Sequence, residues 1–439
     1  MNPLLAWLLA IPLEFRLLAL AALGACAGSL INLAAYRLAW KPRAISPWSR
    51  PDPAAPPRTF GDRLPIVGWL GLARESSLHG PGFWIRPMLI EAFTAALFAW
   101  LYWWEVDQQA LLIPQGLLPL PAGFPPAPPI SQALHAQCAV HLLLACVMLA
   151  ASLIDLDEKY IPDSLMVPAT LAGLVLAAAY PWLLLPANTA DLNRDGVIDA
   201  IYFLEVTSSQ PIEWPQILDE RPNPWSLLIA LACYWSWCVL LLPRPWLARR
   251  GLKIAVRILA RRMLWGYAGE RGLFSWLTAT MALAGAGGIV AVWFVGGVHW
   301  IGLMTALVGM AAGAGVIWMV RIIGTAVLRR EAMGLGDVTL LAMIGTVVGW
   351  QSCLIIFFLA PFCGLLFALA QLIFRRDPEL CYGPFLCMAT LALIVFWAKV
   401  WERAWAMFGM GWLVPGAMVG VFGMLAVMLA VWMGIKRVI

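Results

Sequence analysis

Apolar residues run through this chain in long blocks, with polar residues confined to the gaps between them. Runs of about 20 apolar residues are long enough to cross a bilayer as helices. They recur near 17–36, 88–104, 135–154, 164–186, 225–243, 274–297, 300–323, 338–350, 353–374, 385–400 and 411–434. The pattern predicts an all-α polytopic membrane protein with about eleven transmembrane helices. The run 338–350 is the shortest and is expected to be tilted, kinked or buried. Composition agrees: of 439 residues, 62% are hydrophobic and 12% charged, against about 25% charged in a soluble domain. Leu23-Gly24-Ala25-Cys26 has the look of a lipoprotein cleavage site, but no basic n-region precedes it, so 1–36 is taken as a retained first span.

Charge orients the spans. The connection 37–87 holds Arg37, Lys41, Arg43, Arg50, Arg58, Arg63, Arg74 and Arg86, and the connection 244–273 is equally basic. By contrast 105–134 has no Lys or Arg, and 187–223 has only Arg194 and Arg221 among seven acids. Basic connections stay in the cytoplasm, which makes 37–87 a basic cytoplasmic loop after the first span and puts 187–223 outside. Within the second basic loop, Lys253, Arg257 and Arg261 recur at four-residue spacing beside apolar residues, a pattern that suits a helix lying on the anionic leaflet and equally an ordinary basic connection. The chain then divides into the first span, the loop 37–87, spans through 163, a middle region 164–330 and a final region 331–439.

Two carboxylates stand out at the span edges. Asp155 ends an apolar run in AASLIDLDEKYIPD, and Asp337 begins another in EAMGLGDVTLLAMIG. A carboxylate at a span is costly and therefore a functional candidate. Counting crossings puts both on the cytoplasmic side. Two close carboxylates cannot both ionise easily, so one can act as base while the other donates a hydrogen bond. The helix N-terminus favours an anion at Asp337 and the helix C-terminus disfavours one at Asp155, which assigns base and acid in that order. Gly334 and Gly336 leave room for an unwound or closely packed backbone beside Asp337.

The remaining features carry less. Asp191, Asn193, Asp195 and Asp199 follow calcium-loop spacing, but Tyr202 stands where the bidentate Glu belongs, so a turn-rich acidic loop competes with a calcium site. The nine cysteines form no CxxC and read as small core residues. His135, His141 and His299 fall at the outer halves of spans or in outer loops and read as polar core or interface. The 25 tryptophans cluster at span ends as interfacial anchors. No phosphate loop or dinucleotide fingerprint occurs, and topology accounts for the basic loops, so nucleic acid is not implied.

An ordered set of segments resembles the type IV prepilin peptidases, membrane aspartic proteases with a GxGD motif. The segments are GSLINLAAYRL at 28–38, DRLPIVGWL at 62–70, Arg86 with Glu91, IDLDEKYIPD at 154–163, REAMGLGD at 330–337 and GPFL at 383–386. The resemblance implies catalysis by Asp155 and Asp337 in a bacterial inner membrane. It implies cleavage of prepilin or pseudopilin leaders after glycine on the cytoplasmic side. Asp157, Glu158 and Asp163 become candidate contacts for a basic leader, or a solvated turn. The family's cysteine pairs are missing from 37–87, where His79 is the only softer ligand, so zinc is not expected. N-methylation from S-adenosylmethionine is left open. Thr339 replaces a family lysine, removing a cation near Asp337, and the two aspartates are separated by an extra pair of spans. The competing readings are a proton-coupled transporter, which requires inverted repeats and midplane carboxylates, and a non-catalytic assembly factor.

Overall fold

The computed structural model describes residues 9–39, 43, 45–113, 128–190, 200–207, 223–241, 270–328, 333–374 and 381–438. In chain order its long helices are α1 Leu13–Leu38, α2 Ile85–Tyr102, α3 Ile130–Glu158, α4 Asp163–Ala179, α5 Pro224–Leu240, α6 Glu270–Val295 and α7 Gly297–Leu328. They continue with α8 Leu335–Phe374, α9 Gly383–Val395, α10 Trp397–Phe408 and α11 Leu413–Val438. Helix ends follow local chemistry. Lys159 takes a left-handed conformation (φ 55°) and returns its N–H to Asp155 O, which stops α3. Pro162 then sets an extended residue before Asp163 opens α4. Asn223 and Ser226 form a reciprocal cap on α5.

A polytopic membrane architecture stands, with corrections to the expected elements. Six described helices are long and apolar enough to cross a membrane, or seven if the bent pair α9–α10 is one span. The expected run 385–400 breaks at Phe396, where α9 and α10 meet at 95°. The expected run 164–186 ends as a helix at Ala179, and a short 3-10 turn, Pro181–Leu183, leads on to a strand that begins at Pro186. That strand, β1 Pro186–Ala190, pairs antiparallel with β2 Ala200–Phe203. The expected pair 338–350 and 353–374 is α8, whose helix is interrupted at Gly349 (φ 80°, ψ 171°). A Cβ on Gly345 would lie 3.0 Å from Cys353 Sγ, whereas a straight helix would separate those turns by about 12 Å. The chain therefore doubles back there, and α8 is two antiparallel arms.

The first arm of α8 is the centre of the molecule. Val338, Leu340, Leu341, Ala342 and Ile344 are completely enclosed, as expected of a helix apolar on every side. α4, α7 and α9 surround it. Gly309 and Gly313 on α7 meet the backbone of Gly345 and Leu341 directly, so any side chain there would collide with a carbonyl. At the opposite end from Asp337, Trp350 Nε1 donates to Val206 O (2.8 Å), and Trp397 and Trp401 donate to Pro186 O and Ala187 O (2.7 and 3.0 Å). The hairpin caps that end.

Candidate active site

The α3–α4 corner and the start of α8 build the site together. Asp155 occupies the last turn of α3, and the left-handed Lys159 ends that helix one turn later. The extended Ile161-Pro162 step then passes beneath α8. A Cβ on Gly336 would stand 2.7 Å from Ile161 Cβ, so the absence of a side chain at 336 lets the two backbones touch. Gly383, at the start of α9, closes the third side: its Cβ would meet Asp155 Oδ2 at 2.7 Å and Ile161 Cδ1 at 3.0 Å. Cys381 Sγ donates to Asp155 O at 3.2 Å.

Asp155 and Asp337 are thus buried at the same end of the bundle and near enough to interact electrostatically. The backbone N–H of Gly334 is within hydrogen-bonding reach of the Asp337 carboxyl, the reach-back geometry of an acidic third residue in a helix. Asp155 Oδ2 is buried with no protein hydrogen-bond partner, although the backbone N–H of Gly383 lies within reach of the same carboxyl. A buried carboxyl oxygen in that state calls for a proton, a water or a substrate group. Arg321 of α7 donates from Nη1 to Met333 O (2.8 Å) and contributes positive charge near Asp337. A neighbouring helix therefore supplies a cation close to the carboxyl that Thr339 leaves without one on its own helix.

The other expected site residues divide. Gly334 is exposed, and an added Cβ would make only ordinary contact, 3.4 Å, with Asp337 Oδ2; its backbone matters more than its missing side chain. Asp157 points away from the pair and takes both its oxygens to Arg86 Nη1 (2.7 and 2.9 Å). Glu158 and Asp163 flank the α3–α4 corner with partners of their own. Asp191, Asn193, Asp195 and Asp199 lie outside the described residues, as do Lys253, Arg257 and Arg261.

Sequence reasoning missed the role of Glu91. This carboxylate is 1% exposed inside α2 and accepts from Ser29 Oγ (2.7 Å), Asn32 Nδ2 (3.3 Å), Ile66 N (2.5 Å) and Trp69 Nε1 (2.9 Å). Three of the family-like segments converge on one acid, and the available signal was a charge six residues inside a span. The loop between α1 and α2 is held by ion pairs. Arg58 forks onto Glu75 at 2.9 and 2.8 Å, and Arg74 bonds both oxygens of Asp62 at 3.1 and 2.6 Å. Hydrogen bonds from Arg58 hold Glu75 below the ordinary carboxylate range. Burial opposes ionisation of Asp62, yet bonds from Arg74 and Thr59 outweigh it and lower that pKa also. Among the described residues, no group of three or more His, Cys, Asp or Glu is placed to hold a metal. Glu105 and His141 form a second enclosed pair, 2.9 Å apart, between α2 and α3.

Residues 270–369 match the type IV leader peptidase family. The chain is similar to a prepilin leader peptidase/N-methyltransferase of Escherichia coli K12, with 36% identity over 21% of this chain and 41% of the relative. It is similar to a type 4 prepilin-like proteins leader peptide-processing enzyme of Escherichia coli O78:H11, with 34% identity over 23% and 41% of the two chains. A prepilin leader peptidase/N-methyltransferase of Aeromonas salmonicida is 30% identical over 20% of this chain and 32% of its own. The match covers about two fifths or less of each of these relatives. No solved structure matches.

Proposed function

We propose, from the premise that this multi-pass chain carries a type IV leader peptidase region, that it is a membrane aspartic endopeptidase acting on prepilin-type leaders. The observation that carries the reading is the convergence of Asp155 and Asp337 at one end of the bundle, with Gly336 and Gly383 packed against the α3–α4 corner. Asp337, at a helix N-terminus with a backbone N–H in reach and Arg321 nearby, is suited to the ionised role. It takes a proton from water as the water oxygen attacks the scissile carbonyl carbon. Asp155, in the last turn of α3 where the helix end disfavours an anion, is suited to the protonated role and hydrogen-bonds the carbonyl oxygen. The tetrahedral diol collapses when the proton passes to the leaving nitrogen and the C–N bond breaks. Cleavage follows the glycine that ends a short basic leader, at the cytoplasmic face of a bacterial inner membrane. Glu158 and Asp163 beside the corner give that leader acidic neighbours.

Two of the relatives named above are also called N-methyltransferases, which raises S-adenosylmethionine as a cofactor. The described residues do not fit it well. The groove of about 610 Å³ beside the loop is lined by Pro81, Ile85, Leu89, Phe93 and Leu153, with Arg86 as its charged residue. Arg86 is itself paired with Asp157, and no acid lines this mostly apolar groove to face a sulfonium, which makes it a poor seat for a methyl donor of that kind.

The test is cleavage of a prepilin with a basic leader by purified protein in liposomes. Asp155→Asn and Asp337→Asn should each abolish product while leaving expression and melting intact. Product from both variants at the wild-type rate would overturn the dyad. The product mass, with and without S-adenosylmethionine, decides methylation separately.

A further inference from the structure

We propose that residues 60–72 form an interfacial element seated in the lipid leaflet on the dyad's side, held at that depth by Glu91. Glu91 lies six residues into α2, about 9 Å along the axis from Ile85 at 1.5 Å per residue. Its two oxygens bind Ile66 N and Trp69 Nε1. The short helix Val67–Leu72 is therefore pinned beside α2 at the level of that acid, below the first turn of the span. Leu89 and Phe93, two residues on either side of Glu91 and so on the opposite face of α2, are more than half exposed. In a membrane helix such side chains face hydrocarbon or its boundary, so they place this level of α2 at the interface, and the segment tied to Glu91 lies at the same depth.

The local backbone is shaped for this. Ile66 has φ 64° and ψ −62°, with Val67 N returning to Pro65 O at 2.7 Å. Such a three-residue turn is rare and strained for a β-branched residue, and it persists because its N–H lands on a buried carboxylate. The turn buries Gly68, Trp69 and Leu72 and projects Val67 (62% exposed) and Leu70 from one face, with Leu64 and Phe60 (77% exposed) beside them. At the depth fixed by the Glu91 bonds, these exposed apolar side chains meet lipid. Charge points the same way. Asp62 and Glu75 are already neutralised by Arg74 and Arg58. Arg63, stacked over Trp48 at 5.7 Å, and Arg50 remain outward. A basic, apolar surface matches anionic phospholipid headgroups over acyl chains.

The experiment places p-benzoylphenylalanine at Val67 or Leu70 in the full chain, reconstituted in vesicles of phosphatidylethanolamine and phosphatidylglycerol. Irradiation should give phospholipid-mass adducts on the 60–72 peptide in yield comparable to a label at Phe93, and far fewer from a label at the exposed loop position Ala54. Glu91→Gln should lose the adducts at Val67 while those at Phe93 persist, since an amide cannot accept from all four donors. Trp69→Phe, which removes one donor and keeps the carboxylate, replaces it if Glu91→Gln does not insert, and should reduce the Val67 adduct. Adducts to another polypeptide at Val67 and Leu70, or yields as low as at Ala54, would overturn the proposal. None of these readouts depends on proteolysis.

Discussion

Replacing Gly336 with alanine tests the active-site geometry most directly. The new methyl would stand 2.7 Å from Ile161 Cβ, 3.1 Å from its Cγ1 and 3.3 Å from its backbone N. Carbon atoms in contact prefer about 3.5–4.0 Å, so the two backbones must part by close to 1 Å. Neither side yields easily: Ile161 precedes the proline that caps α4, and α8 is locked in the core by its enclosed first arm. Overpacking of this kind costs about 1–3 kcal/mol in stability. A displacement of about 1 Å at reacting groups costs about 10²-fold in rate. Turnover of a prepilin substrate by Gly336→Ala should therefore fall about a hundredfold in kcat. Gly334→Ala is the control within the same motif. Its methyl meets only Asp337 Oδ2 at 3.4 Å, and turnover should stay within roughly threefold of wild type, as for substitutions that cost under about 0.5 kcal/mol. Ile161→Gly removes the atom that clashes, so the double variant Ile161→Gly/Gly336→Ala should recover about tenfold over Gly336→Ala, within the range of coupling between contacting residues. Wild-type kcat in Gly336→Ala, or equal losses at 334 and 336, would refute the close approach as the reason for the glycine.

Three further outcomes follow from the same structure. Arg321→Gln should lower kcat more than KM, and Arg321→Lys should recover part of the loss by restoring the charge near Asp337 while losing the fixed bond to Met333 O; equal kcat in all three would remove Arg321 from the site. Arg58→Ala leaves Glu75 buried at 1% exposure and should destabilise the loop by about 3–5 kcal/mol, read as faster amide exchange over 59–76 with the spans unaffected. Asp62 and Glu75 are held below their unfolded values, so their contribution is full above about pH 4 and is lost as pH falls through their folded pKa values. Exchange over 59–76, corrected for intrinsic rate, should accelerate as the pH drops below about 4; loss of protection on raising the pH from 5 to 8 would contradict that sign.

Much of the site is legible in the sequence because its cues are local. Asp155 and Asp337 announce themselves as acids at the edges of apolar runs, and Ile161-Pro162 marks a corner in any sequence. The first arm of α8 stands out as the shortest apolar run, and it is buried. What stays hidden depends on pairing across the chain. A window of about 20 residues cannot see that Phe396 breaks a span by 95° or that the chain leaves the helix after Ala179 to reach a strand at Pro186. Nor does it reveal that Arg86, conspicuous as a basic loop residue, spends its charge on Asp157. An exposed pair of that kind contributes about 0.2–1 kcal/mol, yet it occupies the carboxylate that a basic leader would otherwise meet at Asp157. Glu91 reads as a lone acid in a span until Ser29, Asn32, Ile66 and Trp69 are brought to it from two separate segments.

The family match covers 270–369 and so includes Asp337 but not Asp155, which lies far upstream on α3. The intervening chain could have pushed the two acids apart, and its described parts show why it does not. β1 and β2 are bonded to Trp350, Trp397 and Trp401 at the far end of the bundle through Pro186, Ala187 and Val206. α5 packs on α6 and on α7, and Tyr234 of α5 reaches Met281 O at 2.8 Å. Neither element comes between α4 and α8, which stay in direct contact: Gly173 of α4 abuts the side chain of Thr346 with no room for a methyl. The added segments thus attach to the rim and to one flank, while the α3–α4 corner still reaches the first turn of α8. Distance along the chain is therefore no obstacle to the dyad. What would break it is a substitution at the α4–α8 seam, and Gly173→Leu should separate the acids without touching either.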